Sequence, residues 1–169
     1  VTPETAQVAI AALDASDWDD VARIYADGIE SGVATFETEV PAWEDWDRAH
    51  LAGHRLLART EGGAVGWAAL APVSSRCVYA GVAEVSVYVA AAARGRGVGT
   101  ALLAALVASS EAGGLWTLEA GILPENEASV RMHERCGFRV VGRRERLGRM
   151  QGSWRDVLLL ERRSAVVGS

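Results

Sequence analysis

The sequence predicts an α/β domain, and three observations carry that expectation. Val85, Val87 and Val89 alternate with Glu84, Ser86 and Tyr88, the period-two pattern of a strand with two different faces. The glycine-rich turn Arg94 to Gly99 follows, and the helical spacing Val98, Ala101, Leu102, Ala105 and Leu106 begins inside it. Residues 55–60 and 64–71 read as two further strands joined by Glu61-Gly62-Gly63, an antiparallel hairpin closed off by Pro72. At 169 residues, half of them apolar, the chain is expected to form one domain over 1–169, with 7–163 as its ordered core.

Taken in order, residues 7–13 (QVAIAAL) supply a short apolar run for a first strand, and Ser16 followed by Asp19 marks a helix start. Val21, Ile24, Tyr25 and Gly28-Ile29 carry that helix's apolar stripe, which Gly32 to Glu37 break. Val73 to Tyr79 form a connection before the central strand, with Arg76 as its one cation. Leu115 to Leu123 read as another apolar strand, and Pro124-Glu125-Asn126 lead into a helix running to Cys136, stopped by Gly137. Phe138 to Arg143 and Ser153 to Leu160 are two more strands, separated by a loop of charges and glycines from Arg144 to Gly152. Trp154 is expected to pack or to line a pocket, and residues 164–169 to fray.

The turn before the long helix is chemically the most informative stretch. A helix that begins on glycines leaves its first N–H groups unpaired and aims the positive end of its dipole outward, which suits an anion. Arg94 and Arg96 add positive charge there. Read alone, the loop fits either an anion site or a tight strand-to-helix connection. The dinucleotide pattern G-x-G-x-x-G fails because Thr100 stands where a third glycine belongs, and the triphosphate pattern fails because no Lys precedes Thr100.

Composition excludes other classes. A net charge of −5 does not supply the broad positive field that duplex nucleic acid requires, and no apolar run reaches membrane-spanning length. Cys77 and Cys136 are too few for a disulfide framework, and no basic-then-apolar leader opens the sequence, so a cytoplasmic location is expected. The start at Val1 rather than Met reads as processed or altered. His50 and His54 lack the intervening Glu of a zinc-binding helix, and His133 with Cys136 gives only two ligands, so no metal is expected. Arg143 to Arg146 read as a solvated cluster of mixed pairs.

The R-x-x-G-x-G pattern of Arg94 to Gly99 after an apolar strand resembles the coenzyme A pyrophosphate loop of the GNAT acyltransferase superfamily. Asn126, Ser129 and His133-Glu134-Arg135-Cys136-Gly137-Phe138 add to the likeness. Thr35-Phe36-Glu37, Arg76 with Tyr79, Glu84 with Val87-Tyr88-Val89, Ser129 to Glu134 and Gly152 to Val157 resemble its phosphinothricin and methionine sulfoximine acetyltransferase branch, in order along most of the chain.

The resemblance implies a mixed, mostly antiparallel sheet of six to seven strands, flanked by about four helices, whose central parallel strands splay apart. It implies transfer of an acetyl group from acetyl-CoA to a small amine acceptor, by a homodimer. Val87, Tyr88, Val89, Arg94, Gly95, Arg96, Gly97, Val98, Gly99, Thr100, Asn126 and Ser129 would contact the coenzyme; Asn126 fits a helix cap equally. The loop at 32–37 and a helix near Trp43 to His50 would border the acceptor, with Phe36 as its wall or simply as core. Arg76, with Tyr79 beside it, would bind an acceptor carboxylate, a role that suits a planar guanidinium, although a loop arginine is also commonly just exposed.

Glu84 stands among Val82, Ala83, Val85 and Val87, where a carboxylate is out of place unless paired or needed. An ammonium cannot attack a thioester until it loses a proton, so Glu84 is read as the general base, against a structural carboxylate paired with Arg76. His133 is read as a possible acid or substrate contact, against a packed or solvated histidine. Two other functions remain open: acetylation of protein N-termini or of an antibiotic amine, and a non-catalytic acyl-CoA binding module.

Overall fold

The computed structural model describes residues 7–169. Seven strands, β1 (Ala9–Ala12), β2 (Arg55–Thr60), β3 (Gly63–Pro72), β4 (Val82–Val89), β5 (Thr117–Ile122), β6 (Arg139–Met150) and β7 (Ser153–Arg163), form one sheet in the order β1-β2-β3-β4-β5-β7-β6. Every neighbouring pair is antiparallel except β4 with β5. Four helices, α1 (Trp18–Glu30), α2 (Trp43–Ala49), α3 (Val98–Ala112) and α4 (Glu127–Arg135), pack around it. This is the sheet, the strand number and the helix number that the resemblance implied.

β3 is buried on both faces, which explains why its sequence is nearly all small or apolar. On one face Trp67 meets Tyr25 of α1, Trp46 of α2 and Tyr88 of β4, with ring centroids 4.7–5.6 Å apart. On the other face, Gly66 leaves room for Leu102 and Val98 of α3. Arg55 fixes the chain where α2 ends: its guanidinium donates to the main-chain oxygens of Asp47, His50 and Leu51 and pairs with the Asp47 carboxylate. A buried cation is tolerable there because it makes these four hydrogen bonds, one of them to a carboxylate, and the Trp46 ring lies 5.2 Å away.

Gly28 shows how closely α1 is drawn onto the sheet. A Cβ placed there would stand 2.6 Å from Tyr88 Cδ1 and 2.7 Å from Cε1, and that ring is stacked on Trp67 and tilted against Tyr25, so it can shift only by disturbing those contacts. Alanine improves helix propensity by about 1 kcal/mol, whereas overpacking a rigid core costs about 1–3 kcal/mol. Gly28→Ala is therefore expected to lower stability in urea unfolding despite the better helix former.

The local expectations need several corrections. Asp14, not Ser16, receives the first turn: its carboxylate accepts from Ser16 N–H at 2.8 Å, and α1 proper begins at Trp18. Residues 144–150 are not a loop but the continuation of β6, paired with β7 as far as the turn at Gln151-Gly152. The Asp156 carboxylate holds this irregular section by accepting from Arg146 N–H and Arg143 Nε, each at 2.7 Å. Trp154 is not in the core and lines neither of the two cavities described below; it is 59% exposed, with the Arg149 guanidinium 6.0 Å from its ring. The C-terminal residues are tied down rather than frayed. Ser164 is buried and donates to Glu111, while Arg163 donates to the main-chain oxygens of Val167 and Gly168. His50 and His54 flank the turn after α2 and do not share a helix.

Candidate active site

The site follows from the end of one pairing. β4 and β5 run side by side only through Val82↔Thr117, Ala83↔Leu118 and Glu84↔Glu119. Beyond that register the strands separate, and β4 keeps only its β3 neighbour through Val89. The resulting fork leaves main-chain groups of β4 without a strand partner on that edge, where a bound amide-bearing chain can be paired.

Two cavities open along the fork. One, of about 470 Å³, is lined on β4 by Glu84, Ser86, Val87 and Tyr88, on the 33–37 loop by Phe36 and Glu37, and by Asn126, Ser129 and His133 beside α4. The other, of about 380 Å³, is lined by Val87, Tyr88, Val89, Arg94, Gly95, Gly97, Val98, Gly99 and Thr100, again with Asn126 and Ser129. Val87, Tyr88, Asn126 and Ser129 belong to both, so the cavities meet at the middle of the fork.

The second cavity ends on the N-terminus of α3. Gly97 caps that helix at φ +82°, a left-handed conformation that glycine adopts without steric cost. The first internal bond is Ala101 N–H to Gly97 O, so the preceding N–H groups are not used within the helix. A Cβ built at Gly95 or Gly97 meets nothing within 4 Å, so the outer face of the loop is open to a ligand. Arg94 lines this cavity while holding the loop in place, donating to Val89 O at 3.3 Å and Asp27 O at 3.2 Å. Arg96 is exposed and does not line it. Free amides, a dipole end and an open glycine face together fit the diphosphate of a coenzyme.

Glu84 stands at the last position where β4 pairs with β5 and lines the first cavity. It is open to solvent at the cavity mouth, yet the protein packed around its other sides raises its pKa, and the Glu119 carboxylate across the strand pair raises it further. Glu119 is raised as well, by burial first, with Arg144 opposing and Glu161 adding. Among the described residues Glu84 has no ion-pair partner, Arg76 included.

His133 is 96% buried by its 4% exposure, and burial holds its pKa below the usual histidine range. Its Nδ1 lies 2.8 Å from Ser129 O, which can only accept, so Nδ1 carries the proton. Nε2 keeps a lone pair and has no hydrogen-bond partner. That state disfavours a resting acid, and Nε2 is itself buried. Asn126 does cap α4, its Oδ1 accepting from Ser129 N–H at 3.3 Å, and it also lines both cavities.

Phe36 lines the first cavity and packs its ring against Gly148 of β6. Arg76 and Tyr79 stand apart from both linings, on the exposed connection between β3 and β4, with the guanidinium 5.5 Å from the Tyr79 ring. Tyr25, Glu37, His50 and Arg144 line the first cavity without having been singled out as site residues by sequence reasoning. For Arg144 a signal existed: on a continuous β6, alternation sends Arg143 out to Asp156 and its neighbour inward.

The chain matches the Acetyltransferase (GNAT) family over residues 18–138 and belongs to it. It is thus an acetyl-CoA-dependent N-acetyltransferase. More narrowly, it is 35% identical to a phosphinothricin N-acetyltransferase of Streptomyces coelicolor, over 95% of this chain and 98% of that one. It is 30% identical to an L-methionine sulfoximine/L-methionine sulfone acetyltransferase of Pseudomonas aeruginosa, over 86% and 88%. Among solved structures, a phosphinothricin acetyltransferase from Sinorhizobium meliloti in complex with AcCoA superposes with a TM-score of 0.86 at 27% identity, covering 95% of this chain and 90% of that one.

Proposed function

We propose that this chain transfers the acetyl group of acetyl-CoA to the primary amine of a small amino-acid-like acceptor, with phosphinothricin and methionine sulfoximine as the first acceptors to try, and with Glu84 as the general base. The observation that carries this reading is the junction of the two cavities at Val87 and Tyr88, with an anion-binding helix end on one side and the raised-pKa Glu84 on the other. The relatives' acceptors supply the choice of substrates.

Acetyl-CoA brings the acetyl group as a thioester. Glu84, directly or through one water, takes a proton from the acceptor ammonium and frees the lone pair. A carbon–nitrogen bond forms as the carbon–sulfur bond breaks, and coenzyme A leaves as its thiol once a proton reaches the sulfur. Main-chain N–H groups around Val85 to Val87 polarise the thioester carbonyl. Gly95 to Thr100 hold the diphosphate, while Asn126 and Ser129 flank the pantetheine arm. Arg76, on the exposed β3–β4 connection, is the cation this reading assigns to the acceptor's α-carboxylate.

A homodimer belongs to this reading, since Val140, Val141 and Leu147 on β6 and Val78 and Tyr79 near Arg76 are exposed apolar residues. So does a cytoplasmic location, where acetylation would disarm a herbicide or antibiotic amine. No helix among the described residues is long and apolar enough to cross a membrane.

A coupled thiol-release assay against a panel of amino acids and glutamine analogues tests the reading. Acceptor-dependent release is expected, and Arg76→Ala is expected to weaken free amino acids selectively. Tight acetyl-CoA binding without release, unchanged by Glu84→Gln, would instead mark a binding module. Release with peptide N-termini alone would mark a protein acetyltransferase.

A further inference from the structure

The acceptor cavity carries its own electrostatic bias. Its charged lining residues are Glu37, Glu84 and Arg144, and its two histidines, His50 and His133, are both held below the usual histidine range by burial. One arginine cannot offset both acids, and Glu119, opposite Glu84 in the strand pairing, also feels its charge. The remaining neighbours of this group are accounted for: Glu161 pairs with Arg139, and Arg143 with Asp156.

Glu37 faces the cavity rather than solvent alone. Its backbone N–H donates to Thr35 Oγ1 at 3.0 Å, which fixes the turn that presents it. Tyr25 and Tyr88 line the same cavity as Glu37; burial raises both hydroxyls, and the Glu37 charge pushes both further in the same direction. Among the described residues Glu37 makes no salt bridge. An acid with no cationic partner projects its field into the space the acceptor must fill.

We propose that Glu37 biases the charge class of the acceptor, favouring amino acids with a neutral side chain over those with an anionic one. The inference rests on the acetyltransferase reading above and narrows it. Methionine sulfoximine and phosphinothricin are the right pair of probes. They are close in size and both carry an α-ammonium and an α-carboxylate, but the sulfoximine end is neutral and the phosphinate end is an anion. A cavity walled by two carboxylates and one shared arginine repels the second.

The test is kcat/KM for both acceptors at saturating acetyl-CoA, in the wild-type chain, Glu37→Gln and Glu37→Lys. The wild type is expected to favour methionine sulfoximine by about 10-fold or more, as one partly screened charge contact allows. Glu37→Gln is expected to narrow the ratio and Glu37→Lys to narrow or reverse it. Glu37 is an exposed loop residue, so both variants are expected to fold, which thermal melting checks. A wild-type preference for phosphinothricin, or a ratio unmoved by both substitutions, overturns the proposal while leaving the acetyltransferase reading in place. Absence of turnover with every free amino acid, in all three proteins, overturns that reading and the selectivity with it.

Discussion

Glu84→Gln is expected to lower kcat by about 10²- to 10⁴-fold, the range that a positioned general base contributes. Acetyl-CoA binding should survive, because the residues against the α3 N-terminus are untouched. The pH profile separates a base from a structural residue. Protein packing and then Glu119 raise the Glu84 pKa, so wild-type kcat/KM should rise with pH through a limb lying above the ordinary glutamate range. Glu119→Gln removes the neighbouring charge and should move that limb to lower pH; Glu84→Gln should abolish it.

The linkage to stability has the opposite sense. The folded state holds the Glu84 proton more tightly than the unfolded chain, so the stability this group contributes is present at low pH and lost as pH rises through its folded pKa. At neutral pH the ionised carboxylate is therefore a liability to folding, and Glu84→Gln should be at least as stable as the wild type in urea. A variant that is inactive because it is unfolded would contradict this directly.

Gly97→Ala should damage the other end of the site. Its φ of +82° costs an alanine roughly 1–2 kcal/mol, and no atom lies within 4 Å of the added Cβ, so the penalty is conformational rather than steric. If the free loop relaxes and the coenzyme must restore it, that cost becomes a rise of about 5- to 30-fold in the acetyl-CoA KM. The kcat at saturation should change little, because Glu84 and its neighbours are unaltered. Initial rates across an acetyl-CoA series check this, and an unchanged KM would remove Gly97 from the diphosphate contact.

The central strand, the glycine turn and α3 were legible in the sequence because each signal is local: period two, then glycines, then a helical stripe. The β2–β3 hairpin was legible for the same reason. The run from Arg144 to Gly152 was not, because β6 is an edge strand with a largely exposed lining and needs no alternating apolar residues to persist. Its path is fixed by Asp156, 10 residues away, through a main-chain contact that no composition rule reports. Ser164 escaped notice similarly, since its partner Glu111 is 53 residues distant.

The site divides along the same line. Glu84 stood out as a carboxylate in an apolar strand, and Gly95 to Gly99 as glycines opening a helix. Tyr25, Glu37 and His50 come from α1, the following loop and the end of α2, and only the stacking of α1 and α2 on Trp67 brings them to one cavity. The relation between Glu84 and Glu119 is likewise a matter of parallel register, 35 residues apart in sequence (119 − 84) and directly opposite in the sheet.

A crystal structure of the chain grown with acetyl-CoA tests most directly whether these parts form one site. The expected result places diphosphate oxygens about 3 Å from N–H groups of residues 97–100, the pantetheine arm in the fork beyond the Glu84↔Glu119 pair, and the thioester within reach of Glu84 directly or across one water. A coenzyme bound without touching residues 95–100, or a thioester walled off from Glu84 by protein, would contradict it.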